Sequence, residues 1–336
     1  MRPLALVVVM FAAAAAQAQF GEQIEVVRIL VDVRVTDSRG NAIDDLTPAD
    51  FDVQIGGQAT SVVSSEFVRD EAVESSSRPA DERTPLENAP GRRIIVFVQT
   101  DFARESARIR GQLDFLRYAE KMVETFAPED RIAVFQFDSH LKFRLDFTRD
   151  KAAVREALGR TFRIEIPPPP PAVEPPSLGE HLDPAAMRRA ANSEAGLRIV
   201  GDALRHIPGP KSLLLLGWGL GRFSRGNVWM TSEYTLARQA LDASRTSIFA
   251  LDTTRAAYHS LEHGLVRAAE ETGGFYSKTH EFPQLAVDRL KRTLAGHYEL
   301  ELRRPADLEP GTHALRVRVQ RRGAIVLAPT TYMDRH

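Results

Sequence analysis

His259, Glu262 and His263 fall in the spacing H-x-x-E-H. On a helix, that spacing lets two imidazoles share a zinc ion while the carboxylate serves as base. The same histidines are equally accounted for as solvated groups on a helix whose apolar stripe is Leu261, Leu265 and Ala268. Three acids, Asp101, Asp138 and Asp252, each close an apolar strand-like run. The carboxyl ends of strands are where a wound α/β sheet keeps its crevice, although acids there also cap turns and helices. Trp218, Phe223, Val228 and Trp229 gather between a strand and a helix with Arg222 and Arg225 beside them. Exposed aromatics with arginine are the composition of a protein-binding hot spot; the alternative is that the rings fill space at the head of the sheet. Arg104, Arg108 and Arg110 read as a solvated helix face.

Other chemistries find no support. The 336 residues contain no cysteine, which removes thiol nucleophiles, cysteine zinc sites and disulfides together. No Gly-x-Ser-x-Gly elbow occurs. Gly217-Trp218-Gly219-Leu220-Gly221 follows a strand but has neither the lysine of a phosphate loop nor the glycine spacing of a dinucleotide fold. A net charge of −1 gives no electrostatic case for nucleic acid or an anionic membrane.

The elements that must position these residues separate by periodicity. Residues 1–18 have a signal peptide's form: Arg2, an apolar run from Leu4 to Ala16, and the small-residue site Ala16-Gln17-Ala18. Residues 24–68 alternate in the β manner, with Val27, Ile29, Val31, Val33 and Val35 on one face. Residues 69–92 are acidic, serine-rich and proline-containing, as in a linker. From 93 to 296 buried-strand runs alternate with helices: Ile94 to Gln99, Ile132 to Phe137, Leu213 to Leu216, Ser247 to Leu251. The first helix is expected to bury Ile109, Leu113, Leu116, Val123 and Phe126, and one helix is expected to start at Asp183-Pro184 and carry Leu197, Val200 and Leu204. The proline run 167–171 reads as a stiff surface loop. Residues 297–334 return to period two. The expected fold is α/β: a doubly wound, mostly parallel, Rossmann-like sheet, with a β-sandwich-like unit formed by the N- and C-terminal strands.

Several segments in this order resemble the bacterial VWFA-related family, whose core is a von Willebrand factor A-like domain. They are Ile29 to Asp37, Leu46-Thr-Pro-Ala-Asp-Phe51, Asp130 to Phe135, Asp146-Phe-Thr-Arg-Asp150, Gly209-Pro-Lys-Ser-Leu213, Ile248 to Asp252 and Ala268 to Gly274. The resemblance implies a metal-ion-dependent adhesion site built from Asp-x-Ser-x-Ser, a loop threonine and a later aspartate. Carried over by position, it leaves Asp101 and Thr148 as metal ligands; both serines are missing and Trp218 stands where the last acid belongs. The site is thus expected to be degenerate, with no cofactor beyond a weakly held Mg²⁺ or Ca²⁺. The resulting expectation is an exported, non-enzymatic interaction protein, periplasmic or secreted, without stable membrane insertion once the signal is cleaved. It would grip a protein partner, not nucleic acid, through Gln99, Asp101, Trp218, Arg222, Phe223 and Trp229. The alternatives are a divalent-metal-dependent adhesion module with altered ligands and a secreted zinc hydrolase using His259, Glu262 and His263.

Overall fold

A computed structural model describes residues 28–69, 91–100, 106–161 and 176–334. The expected signal segment, residues 70–90 of the expected linker, Asp101, Arg104 and the proline run 167–171 lie outside the described residues. The chain begins with β1 (Arg28–Thr36), β2 (Phe51–Ile55), β3 (Gln58–Thr60) and β4 (Val62–Arg69). Period-two alternation sends Ile29, Val31, Val33 and Val35 of β1 into one core. Between β1 and β2 a short 3₁₀ turn, Pro48–Asp50, is fastened by Asp50, whose carboxylate accepts hydrogen bonds from both the N–H and the hydroxyl of Thr47 at 2.7 Å. Gly56 and Gly57, both at positive φ, reverse the chain between β2 and β3.

The α/β unit follows. Its elements are β5 (Arg93–Gln99), α1 (Ser106–Glu124), β6 (Arg131–Phe137), β7 (Leu141–Thr148), α2 (Lys151–Arg160), α3 (Pro184–Arg189), α4 (Ser193–Leu204) and β8 (Lys211–Gly217). Next come β9 (Arg222–Ser224), β10 (Asn227–Trp229), α5 (Ser232–Ala243), β11 (Thr246–Asp252), α6 (Glu262–Glu271), β12 (Tyr276–Lys278) and α7 (Pro283–Thr293). The central sheet runs β12-β11-β8-β5-β6-β7, all parallel except β7, which is antiparallel to β6. Counted within the unit this is the doubly wound order, with the crossover between β5 and β8. Both faces of the sheet are covered, so its strands are apolar on both sides. Leu197, Val200, Leu241 and Leu265 from α4, α5 and α6 pack on one face. Phe115, Met122, Leu158 and Leu290 from α1, α2 and α7 pack on the other. Each such side chain contributes about 1.5–3 kcal/mol on burial, and these two layers hold the unit together.

Two helices differ from the sequence expectation. The buried stripe of α1 is Gly111, Gln112, Phe115, Ala119, Met122 and Val123, while Leu113 is 49% exposed. The polar Gln112 lies inward because its side-chain amide donates to the Gln99 carbonyl at 2.6 Å. The single helix expected after Asp183 is two, because Asn192 ends the run and starts α4, its side chain accepting from the Ala195 N–H at 2.8 Å.

The tail supplies β13 (Gly296–Arg303), β14 (Gly311–Val319), β15 (Ile325–Leu327) and β16 (Thr331–Asp334). They interleave with the first strands into two four-stranded sheets, β15-β1-β13-β4 and β16-β14-β2-β3. The two sheets face each other across Val31, Val33, Val53, Ile55, Leu300 and Leu315. Tyr298 is central: its ring meets Phe51 and Phe67 edge-on, and its hydroxyl accepts from the Leu46 N–H at 2.9 Å. N- and C-terminal strands therefore form one sandwich.

The sandwich sits at the amino edge of the central sheet. The residues of β1 that alternate with its core face reach across: Arg34 donates to Ser212 and Ser247, near the starts of β8 and β11, at 3.3 and 3.5 Å. Arg245, in the turn before β11 at φ 53, donates to Asp32 at 2.8 and 2.5 Å and to Glu299 at 2.5 Å. Beside this clamp Lys211 is buried, its ammonium donating to the Ser244 carbonyl at 2.8 Å. Burial, together with repulsion from Arg245 and Arg93, pushes Lys211 down to about 7, against the attraction of Asp32. Among the described residues no helix is long and apolar enough to cross a membrane.

The depressed lysine makes stability depend on pH. The folded protein disfavours the ammonium, so the cost is full below about pH 7 and vanishes above the unfolded value of 10.5. Stability attributable to this site thus rises with pH between those limits. Lys211→Met is expected to be more stable than the parent at pH 6, by on the order of 2 kcal/mol once the lost Ser244 bond is deducted. That advantage should disappear near pH 10 in urea titrations; an advantage that stays constant with pH would refute the account.

Candidate functional site

At the carboxyl edge, β5 ends in Gln99, 3% exposed, whose amide is wholly used inside the protein. Its Nε2 donates to Ser193 Oγ at 2.9 Å and to the Gly219 carbonyl at 2.8 Å. Its Oε1 accepts from the N–H groups of Trp218 and Gly219 at 3.0 and 3.2 Å. The pattern fixes the amide orientation, since a flipped side chain would set donors against donors. One side chain thereby ties β5 to the loop after β8 and to the start of α4. Glu194, also buried, extends the tie by accepting from the Gly221 N–H at 2.7 Å. The loop 217–221 needs glycine for close approach. A Cβ at Gly219 would lie 2.4 Å from that of Leu261, and one at Gly264 would lie 2.1 Å from the Leu220 carbonyl oxygen.

Trp218 is half-buried, with the Arg108 guanidinium 4.0 Å from its ring centroid. The stretch after Gly221 is a two-stranded hairpin, β9 against β10, pairing Arg222 with Trp229 and Phe223 with Val228. Arg225 and Gly226, both at positive φ, form its turn. Arg222 and Trp229 thus share one face of the hairpin and Phe223 and Val228 the other. Phe223 is 55% exposed and Trp229 62%.

On the other side of the loop, β11 ends in Asp252. One of its carboxylate oxygens accepts from the Thr254 N–H at 2.9 Å; the other accepts from the Tyr276 hydroxyl at 2.7 Å and lies 2.7 Å from His259 Nε2. Burial alone would push Asp252 up, but His259, Thr254 and Tyr276 more than offset it and hold the carboxyl below its usual range. Glu262 pairs with Lys278 at 2.8 Å. Asp138, at the end of β6, is paired with Lys142 and capped by Ser139. Here too burial opposes ionisation, and Lys142 and Ser139 more than offset it.

These positions revise the residue assignments. Gln99 is not a partner contact: it is buried and all its polar atoms are paired. Thr148 is not at the crevice, because β7 runs antiparallel and Thr148 pairs with Ile132 at the start of β6. At ~3.3 Å per residue, that is about 20 Å from the carboxyl end of the sheet. Asp101 lies outside the described residues. His259 and His263 do not share a helical face, since α6 begins only at Glu262; His259 turns inward to Asp252, while His263 is exposed, 3.4 Å from the Tyr258 hydroxyl. Trp218 follows β8, and Arg222, Phe223 and Trp229 lie in the β9–β10 hairpin that comes next in the chain. Sequence reasoning missed the parts of Ser193 and Glu194; the signal was Asn192-Ser193-Glu194 ahead of an apolar stripe, a helix start.

With its doubly wound order, antiparallel edge and helices on both faces, the α/β unit has the Rossmann-like architecture that the resemblance to von Willebrand factor A-like domains implies. No family model matches the chain, and no curated protein matches it in sequence. Among solved structures, the von Willebrand factor type A protein from Catenulispora acidiphila is similar over 88% of this chain and 72% of its own, at 9% identity and a TM-score of 0.43. PilB minor pilin from Streptococcus sanguinis is similar over 60% of this chain, at 12% identity and a TM-score of 0.35; the match spans only 62% of that protein. Proximal thread matrix protein 1 from the mussel byssus, in a structure with a zinc-occupied MIDAS motif, is similar over 64% of this chain and 49% of its own, at 13% identity and a TM-score of 0.38.

Replacing Gln99 by leucine would strand two backbone N–H groups and the Gly219 carbonyl in a buried site. Each unpaired group costs about 1–3 kcal/mol, so with three of them Gln99→Leu should destabilise the protein by roughly 3 kcal/mol or more in urea unfolding. Hydrogen exchange should accelerate first at Trp218 and Gly219. A neutral substitution would show that the amide does not hold the loop.

Proposed function

We propose that this is an exported interaction protein of the adhesion or scaffold type, which grips a protein partner at the carboxyl edge of its α/β sheet and catalyses no reaction. The observation that carries the reading is the hairpin: two large aromatics, Phe223 and Trp229, held exposed on a short, regular support beside Arg222 and Arg225. A Phe or Trp buries ~150–250 Å² when covered, and such rings with arginine dominate binding energy in protein interfaces. Among the described residues the sandwich occupies the opposite edge of the sheet from the hairpin, which supports docking of a macromolecule there. The signal-like N-terminus supports export to the periplasm or beyond.

The adhesion-site reading through Asp101 and Thr148 gains no support, because Thr148 lies at the amino edge. The zinc-hydrolase reading in its H-x-x-E-H form gains none either, because the two histidines diverge.

Cross-linking of the mature protein to native cell-envelope proteins, read by mass spectrometry, tests the docking site. Phe223→Ala and Trp229→Ala should each weaken capture of the same partner at least tenfold, as for hot-spot residues worth about 2 kcal/mol. Equal capture by the double variant would exclude the hairpin as the docking surface. N-terminal sequencing of protein exported from a bacterial host should give a mature chain starting at Gln19; an intact Met1 terminus would remove the basis for export.

A further inference from the structure

We propose that Asp252, His259 and Glu262 form a binding site for a first-row divalent transition ion, best matched by Zn²⁺, at the end of β11. This site is separate from the docking hairpin and does not rest on the interaction reading. One ligand atom from each of the three lies within 4.8 Å of the other two. An ion with bonds of about 2.0–2.2 Å spans neighbouring ligands of such a set after small side-chain shifts. One imidazole with two carboxylates suits zinc better than the all-oxygen preference of Mg²⁺ or Ca²⁺. Two negative charges also neutralise a dication.

The surroundings are those of a supported site. The Asp252 side chain is 2% exposed, that of His259 16% and that of Glu262 13%. Asp252 is oriented by the Tyr276 hydroxyl and the Thr254 N–H, the outer bonds that fix a ligating carboxylate. Two polar atoms of this neighbourhood, His259 Nδ1 and Thr254 Oγ1, are buried without a partner. Orphaned polar atoms are rare enough in folded proteins to point to a missing ligand or water. The positive charge now beside Glu262 is the Lys278 ammonium, 2.8 Å away on a side chain that is 35% exposed. An entering ion would displace it toward solvent. His263, the second histidine of the H-x-x-E-H spacing, plays no part.

Calorimetric titration of Zn²⁺, with Mn²⁺ and Mg²⁺ as comparison ions, into the full mature protein tests the assignment. One Zn²⁺ per chain is expected, bound more tightly than Mn²⁺ or Mg²⁺. His259→Gln and Glu262→Gln should each weaken binding by about tenfold or more, with circular dichroism confirming that both stay folded. His263→Ala should leave the affinity within about twofold, whereas Lys278→Met, which removes the competing cation, should tighten it. Absence of zinc binding, or equal affinity in His259→Gln and the parent, overturns the site. Unchanged affinity in Lys278→Met also overturns it, by placing the ion elsewhere. None of these failures touches the hairpin reading, which is measured by partner capture.

Discussion

The loop after β8 is fastened to the central sheet by a neutral amide. Gln99 satisfies two backbone N–H groups, one carbonyl and one hydroxyl from the loop after β8 and the start of α4. A buried polar group is tolerated when every bond it can make is made, and is costly otherwise. An amide meets that condition with protein atoms alone. A carboxylate in its place would repel the Gly219 carbonyl and need a counter-charge. The loop 217–221 is therefore fixed by the fold itself, and the hairpin that grows from it starts from a rigid base. Exposed aromatics on a rigid base lose little conformational freedom on docking, which favours affinity.

The second constraint is the seam with the sandwich. Because the first and last described strands build that sandwich, the α/β unit is anchored at entry and exit by neighbouring antiparallel strands, β4 and β13. Arg245 adopts a backbone conformation that disfavours most side chains, and the strain is offset by its bonds to Asp32 and Glu299. Arg34 crosses the same seam from β1. These contacts all lie at the amino edge, so the described strands of the sandwich stabilise the unit from the end opposite the hairpin. Lys211 is the price of burying so much positive charge there, and its shifted ionisation records it.

Much of the architecture was legible in the residues. Apolar runs such as Ile94 to Val98 and Leu213 to Leu216 announce strands covered on both faces, and the period-two pattern of Ile29 to Val35 announces a sandwich strand. Direction was not legible: nothing in Leu141 to Thr148 says that this strand turns back beside β6, and that single reversal removes Thr148 from the crevice. Periodicity placed α1 and the inward Val123 and Phe126 but put Leu113 in the stripe and left Gln112 out, because Gln112 is held inward by a bond to a distant carbonyl rather than by hydrophobicity. The hairpin 222–229 was too short and polar to register as strand, although Arg225-Gly226 is a turn pair. For H-x-x-E-H, the spacing was right and its context wrong: with α6 starting at Glu262, His259 is free to turn toward an acid seven residues back.

That turn links the two devices of the crown. Gly219 and Leu220 pack directly on Leu261 and Gly264, so the loop that supports the hairpin also rests on the first turn of α6. The same turn carries Glu262, and His259 precedes it by three residues. Among the described residues, the inner end of this segment is held by the His259–Asp252 bond and its outer end by the Glu262–Lys278 pair. The second of these is partly exposed, and such a pair contributes little rigidity in water. An ion shared by Asp252, His259 and Glu262 would replace both ties with a single tighter one, behind the loop rather than within the docking face. Its effect on a partner would then act through the stiffness of the support, not through contact. On the two proposals taken together, such a metal would tune partner binding without being a ligand of the docking surface.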